Sequence, residues 1–209
     1  MMNNVWHDPV QNPQLNKYTF SGNITPSNGV FGNVRTWRTP SLHSGTDIFA
    51  IPGDKVYSCM EGEVVRADTG GGGKTVVIKI KSTIDFIRQM SNVNYSLTYA
   101  NKGEVMGTEI KPTDSVYLIY MHLSKFECEK GDKVNSGDLV ALAGVTGNAT
   151  GTRGPHVHFE IATKSNPYGS GIKNRINPAR VVELQPYDTK EQDDSKEYKY
   201  YKDGTKKKV

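Results

Sequence analysis

The chain has 209 residues, enough for one domain with a sizeable core and ragged ends. Its formal charge of +4 owes much to Lys206, Lys207 and Lys208. Such a run is most often a solvated tail, and with no arginine groove interleaved with aromatics no nucleic-acid partner is expected. No window is long and apolar enough for a membrane-spanning helix, so the chain reads as soluble and a monomer is the expected state. The two cysteines, Cys59 and Cys128, are too far apart for a thiol metal motif and too few for a disulfide framework. They read as two half-buried thiols, with a single bridge as the alternative if the chain is exported.

Met1 to Phe20 lacks the basic-then-apolar pattern of an export signal, so any export relies on a signal already removed or on a route that leaves none. Residues 1–28, rich in Asn and Pro, read as an extended leader. Glycine, tyrosine and valine are frequent and helical apolar spacing is scarce, which points to an all-β domain over residues 29–185. Strand-like runs occupy Asp54–Met60, Gly62–Ala67, Thr75–Lys81, Val116–Leu123, Lys133–Asn135, Asp138–Ala143 and His156–Ala162, separated by Gly-containing turns that suit an antiparallel sheet. Gly-Asp-Lys-Val occurs at Gly53–Val56 and again at Gly131–Val134, the mark of a repeated hairpin. Residues 82–115 form an excursion too long for a plain loop; Ile84, Phe86, Ile87 and Met90 predict a short helix within it. Residues 186–209 are charged and poor in apolar groups, and little fixed structure is expected there.

Three of the five histidines lie in His43-Ser-Gly-Thr-Asp47 and Gly-Pro-His156-Val-His158-Phe-Glu160. On a strand, alternation turns His156, His158 and Glu160 to one face and Val157, Phe159 and Ile161 to the other. The apolar set can pack in the core while the imidazoles enter a cleft. His122 closes the apolar run from Val116, and the same alternation places it with Leu118 and Tyr120. Zinc-type metals favour imidazole and carboxylate, and a catalytic zinc takes three protein ligands and keeps one position for water. Two histidines and one aspartate meet that requirement.

H-x-H and H-x-x-x-D are each common patterns; their order and company set them apart. His43-Ser-Gly-Thr-Asp47, then Tyr120-Met-His122-Leu123, then His156-Val-His158, closely resemble the lysostaphin/LytM-type peptidoglycan zinc metalloendopeptidases, which cleave Gly-Gly or DD cross-links. The flanks agree: Phe31-Gly32 and Arg35, Gly131-Asp-Lys-Val134 with Gly137-Asp138, Thr146-Gly147 and Gly154-Pro155. The resemblance spans about residues 31–161. It implies an antiparallel sheet or half-barrel of hairpins, Zn2+ held by His43, Asp47 and His158 in an open groove, and His122 and His156 as catalytic histidines. The implied substrate is the peptide of bacterial peptidoglycan, reached in the periplasm, in the cell wall or outside the cell. The long excursion 82–115 departs from the common pattern and is expected to border the groove and restrict which peptides enter. Arg35 reads equally as a substrate- or ligand-supporting residue and as a surface residue; Glu160 reads as a solvated edge carboxylate, with support of a ligand as the alternative.

Three other readings compete. Asp68-Thr-Gly-Gly-Gly-Gly-Lys74-Thr75 approaches a phosphate-binding loop, but Asp68 replaces its first glycine and a strand follows where a helix is needed, so it reads as a mobile hairpin tip. A cupin-like metal oxygenase needs a histidine after His158, and none follows. A catalytically silent wall-binding or activator module on the same fold stays the alternative; some relatives of that kind have lost metal ligands, whereas every position is filled here, and bound zinc with turnover of cell wall separates the two. His7 fits none of these schemes and reads as an exposed residue.

Overall fold

The computed structural model describes residues 5–17, 19–20, 23–24, 29–33, 42–92, 107–166, 171–185 and 189–209. Arg35 and residues 93–106 of the excursion lie outside them. The described elements are mostly short antiparallel strands. In chain order they begin with β1 (Thr19–Phe20), β2 (Asn23–Ile24), β3 (Gly32–Asn33), β4 (Leu42–His43), β5 (Thr46–Phe49) and β6 (Lys55–Tyr57). The hairpin β7 (Gly62–Gly70) and β8 (Gly73–Ile80) follows, then α1 (Thr83–Asn92), which buries Phe86 as its spacing predicts. β9 (Tyr117–Leu123), β10 (Lys125–Phe126), β11 (Lys133–Val134), β12 (Leu139–Leu142), β13 (His156–Ala162) and β14 (Arg175–Ile176) complete the sheets. After them come α2 (Lys190–Lys196), β15 (Tyr198–Tyr200) and β16 (Lys206–Lys208).

The main sheet runs β11-β7-β8-β9-β13-β14, with β5 also pairing β13; β10-β12-β6 form a second sheet. The repeated Gly-Asp-Lys-Val explains how the two interlock. In both copies the glycine takes a positive φ, +103° at Gly53 and +101° at Gly131. In both, the following Asp carboxylate accepts a backbone N–H three residues back, from Ile51 to Asp54 and from Glu129 to Asp132, each at 2.8 Å. The strands then cross over: β6 of the first copy pairs with β12 of the second, and β11 of the second with β7 of the first.

One face of β13 supplies Val157, Phe159 and Ile161 to a core that also holds Val64, Val76, Ile78, Leu118 and Tyr120. Each large side chain so buried contributes about 1.5–3 kcal/mol. Tyr120 keeps its polar end satisfied in this core, donating to Cys59 Sγ at 3.3 Å and accepting the Cys59 N–H at 3.1 Å. Cys59 is therefore fully buried rather than half-buried, and both thiols are free.

Several expectations are corrected. The leader is packed from its first described residues: Trp6, Val10 and Leu15 belong to the core, and Leu15 bridges Ile48 on the outer edge of β5. The Asn16 N–H donates to the Asp47 carbonyl and the Phe49 N–H to the Gln14 carbonyl, both at 2.8 Å. A strand edge needs cover, and this segment supplies it without any periodic apolar pattern. The tail is likewise ordered. Gln192 of α2, fully buried, donates to the Leu15 carbonyl at 3.0 Å and accepts the Lys17 N–H at 2.9 Å, while Tyr200 exchanges backbone bonds with Gly151 and Thr152. Polar side chains hold this helix, so composition alone reads it as unstructured. The glycine-rich tip is a hairpin, but an anchored one: the His122 N–H donates to the Gly72 carbonyl at 3.1 Å, and Gly73, at φ +77°, lies where any Cβ would strike Thr146 and Gly147. His7 is half-buried against Tyr57, ring centroids 4.8 Å apart.

Candidate metal centre

Register builds the centre. β5 and β13 pair so that Asp47 lies directly opposite His158, which puts both side chains on one face. His43 ends β4, four residues before Asp47, and Gly45 makes the approach possible. A Cβ there would run into the Phe159 carbonyl and lie 2.9 Å from Glu160 Cγ and 3.0 Å from His158 Nε2.

His43, Asp47 and His158 are all buried and offer ligand atoms within 4.8 Å of one another. His43 Nε2 lies 3.1 Å from His158 Nδ1 and 3.2 Å from Asp47 Oδ1, and His158 Nδ1 lies 2.7 Å from the same oxygen. Ligands about 2.0–2.1 Å from a tetrahedral zinc stand roughly 3.3 Å apart, so the donor set fits such an ion with little movement.

His122 and His156 border this triangle. Their rings meet edge to face with centroids 5.0 Å apart, and His156 Nε2 is 3.6 Å from Asp47 Oδ1. His122 reaches the site by a route that strand alternation does not predict. It adopts φ +66°, and Leu123 rather than His122 joins Leu118 and Tyr120 in the core. The left-handed residue resets the alternation; it lies next to the register shift between β8 and β9 at Lys74–Val76.

Backbone carbonyls fix three of the four rings. His43 Nδ1 donates to Val30 at 2.8 Å, His122 Nδ1 to Thr146 at 3.0 Å and His156 Nδ1 to Gly154 at 2.7 Å. Each thereby has its Nε2 as the second ring nitrogen, able to bind a metal or exchange a proton. His158 is different. Its Nε2 donates to Glu160 at 3.0 Å, and Glu160 also accepts from Ser44 Oγ at 2.6 Å and Arg175 Nε at 2.9 Å. The expectation of a solvated edge carboxylate at Glu160 is thus wrong: it is 2 % exposed.

Charge follows geometry. Burial alone would raise the Asp47 carboxyl, but His43, His156 and His158 outweigh it and hold it well below the usual carboxylate range. Burial would lower His158, yet Asp47 and Glu160 lift it to about 9. Glu160, which burial would raise, is held at about 2 by His158, Arg175 and Ser44. His122 is pushed down to about 3 by burial and by His156 and His158, and is neutral in the working pH range. Sequence reasoning missed the glycine at position 45, Ser44 and Arg175; Arg175 lies in a two-residue strand with no motif to mark it.

The family model described as peptidase family M23 matches residues 91–170, the stretch that carries His122, His156 and His158. The chain is 46% identical over 127 residues to the glycyl-glycine endopeptidase ALE-1 of Staphylococcus capitis, covering 59% of this chain and 25% of that protein. It is 34% identical over 127 residues to the peptidoglycan DD-endopeptidase ShyB of Vibrio cholerae, covering 60% of this chain and 21% of that protein. The chain carries a peptidase family M23 domain. It spans about a quarter of the length of the curated relatives it matches. A solved zinc-containing peptidase from Vibrio cholerae shares this fold at 22% identity and a TM-score of 0.50, covering 85% of this chain and 39% of that one.

Proposed function

We propose that the protein is a zinc-dependent endopeptidase that hydrolyses peptide bonds in bacterial peptidoglycan cross-links, acting in the periplasm, in the cell wall or outside the cell. The observation that carries this reading is the convergence of His43 Nε2, Asp47 Oδ1 and His158 Nδ1, bordered by two further histidines. His43, Asp47 and His158 would hold the zinc. An ion held there would polarise a scissile carbonyl and lower the pKa of a water toward about 7. His122, neutral and donating Nδ1–H to Thr146, accepts or returns a proton at Nε2; His156, fixed by Gly154, presents the second such nitrogen. An N–H at either Nε2 can donate to the oxyanion that develops on the carbonyl.

The names of the relatives support a peptide cross-link as substrate, either a glycine bridge or a stem-peptide bond. The test is zinc analysis of the purified protein beside mass spectrometry of fragments released from walls of differing cross-link chemistry. One zinc per chain with peptide-bond cleavage products supports the proposal. Zinc without turnover on any wall assigns a silent binding module instead, and absence of zinc removes the metal centre.

A further inference from the structure

Among the contacts of the described residues, the His158 ring is the one of the four at the centre whose outer nitrogen meets a carboxylate. His43, His122 and His156 donate Nδ1–H to the neutral carbonyls of Val30, Thr146 and Gly154. His158 instead turns Nε2 to Glu160 Oε1 at 3.0 Å, and the other oxygen of that carboxylate accepts Arg175 Nε at 2.9 Å. Ser44 Oγ, one residue from His43, adds a third donor at 2.6 Å. Arg175 is itself fixed, its guanidinium donating to the Gly171 carbonyl at 2.5 Å and its own carbonyl accepting the Thr108 N–H at 2.6 Å. Glu160 and Arg175 are 2 % and 4 % exposed, so this is a buried, hydrogen-bonded ion pair.

We propose that Glu160, held by Arg175 and Ser44, is a positioning residue for the metal: it fixes the His158 ring with Nε2–H turned away and Nδ1 aimed at the ion. This rests on the reading of His43, Asp47 and His158 as ligands. A carboxylate behind a metal-bound imidazole sets its tautomer and strengthens it as a donor, and loss of such a partner typically weakens metal binding about 10–100-fold. A plain structural ion pair makes a different prediction: its loss lowers stability and leaves intrinsic metal affinity alone.

The experiment uses the full chain as wild type, Glu160→Gln and Glu160→Ala. Zinc affinity is read by competition with a chromophoric chelator, and the protonated nitrogen of His158 by imidazole 15N shifts of the zinc-loaded protein. Glu160→Ala is expected to lose about 10–100-fold in affinity and to shift the His158 Nε2–H signal. Glu160→Gln keeps an acceptor oxygen but not the charge and is expected to fall between the two. Should Glu160→Ala fail to fold, Glu160→Gln decides alone. A folded variant that binds zinc within twofold of wild type, with an unchanged His158 signal, overturns the inference and leaves the metal site standing. Failure of the wild type to take up one zinc overturns the function proposed above.

Discussion

Asp47 and His158 are direct cross-strand partners, Oδ1 to Nδ1 2.7 Å, whereas His156 stands opposite Phe49 with its Nε2 3.6 Å from the same oxygen. Two histidines on one strand face therefore hold different positions toward one carboxylate. His158→Ala is expected to lose most of its zinc and, with it, activity. His156→Ala is expected to keep about one zinc and lose roughly 10²–10⁴-fold in turnover, the usual cost of removing a general acid or base. Zinc analysis beside a wall-clearing assay separates them, and the reverse pattern exchanges the two assignments.

Metal uptake should release a proton. Without metal, His158 titrates at about 9, so below that pH a zinc ion must displace a proton from its Nδ1. Asp47 and His122 are already deprotonated at neutral pH and release none. Each unit of pH below about 9 then weakens apparent affinity by about tenfold, or 1.36 kcal/mol, from this group. Calorimetry in buffers of differing ionisation enthalpy counts the protons. A pH-independent affinity between pH 6 and 8 would rule the assignment out.

The parts of the fold written as local patterns were legible in the sequence. Val157, Phe159 and Ile161 announce the core face of β13, and Ile84, Phe86, Ile87 and Met90 announce α1, of which Phe86 and Met90 reach the core while Ile84 is exposed. The parts built by long-range polar contacts were not. Leu15 extends the β5 edge and Gln192 pins it from 177 residues away, with no apolar period to mark either. The centre was legible as residue types, since the motifs name its histidines and aspartate. What alternation missed was His122, because a single left-handed residue turns a side chain across the sheet, and residue type does not announce φ. Glu160 was misread for a related reason: its burial depends on Arg175, whose approach to β13 only the folded chain reveals.

Gly45 offers a test of how tightly the centre is built. Its Cβ position lies 2.9 Å from Glu160 Cγ and 3.0 Å from His158 Nε2. Gly45→Ala therefore pushes β5 and β13 apart where Asp47 meets His158, at the cost of about 1–3 kcal/mol typical of overpacking. Thermal denaturation should show a lower Tm with and without zinc, and chelator competition a weaker ion. A variant with wild-type Tm and zinc affinity would show that the strands yield without cost.

Lys196 carries the last prediction, away from the metal. Its Nζ is buried with no hydrogen-bond partner among the described residues, and nearby Asp193 is already engaged by Lys17 at 2.9 Å. Burial, then the charge of Lys17, lowers its pKa to about 8, with Asp193 opposing and Arg153 adding to the shift. The unfolded chain, with lysine near 10.5, thus binds more protons than the folded one between about pH 8 and 10.5. Stability from this group rises with pH across that window, and the cost is fully present below pH 8. Lys196→Met keeps the stem and removes the charge, and should stabilise the protein by about 1–3 kcal/mol at pH 7. At about 2–4 °C per kcal/mol for a chain of this size, Tm should rise by several degrees. Near pH 10 the gap should narrow, because the wild-type amine is then mostly neutral in the folded state. Melting curves at both pH values decide the matter: a Met variant that melts at or below the wild-type temperature at pH 7 shows that the ammonium is stabilised where it lies.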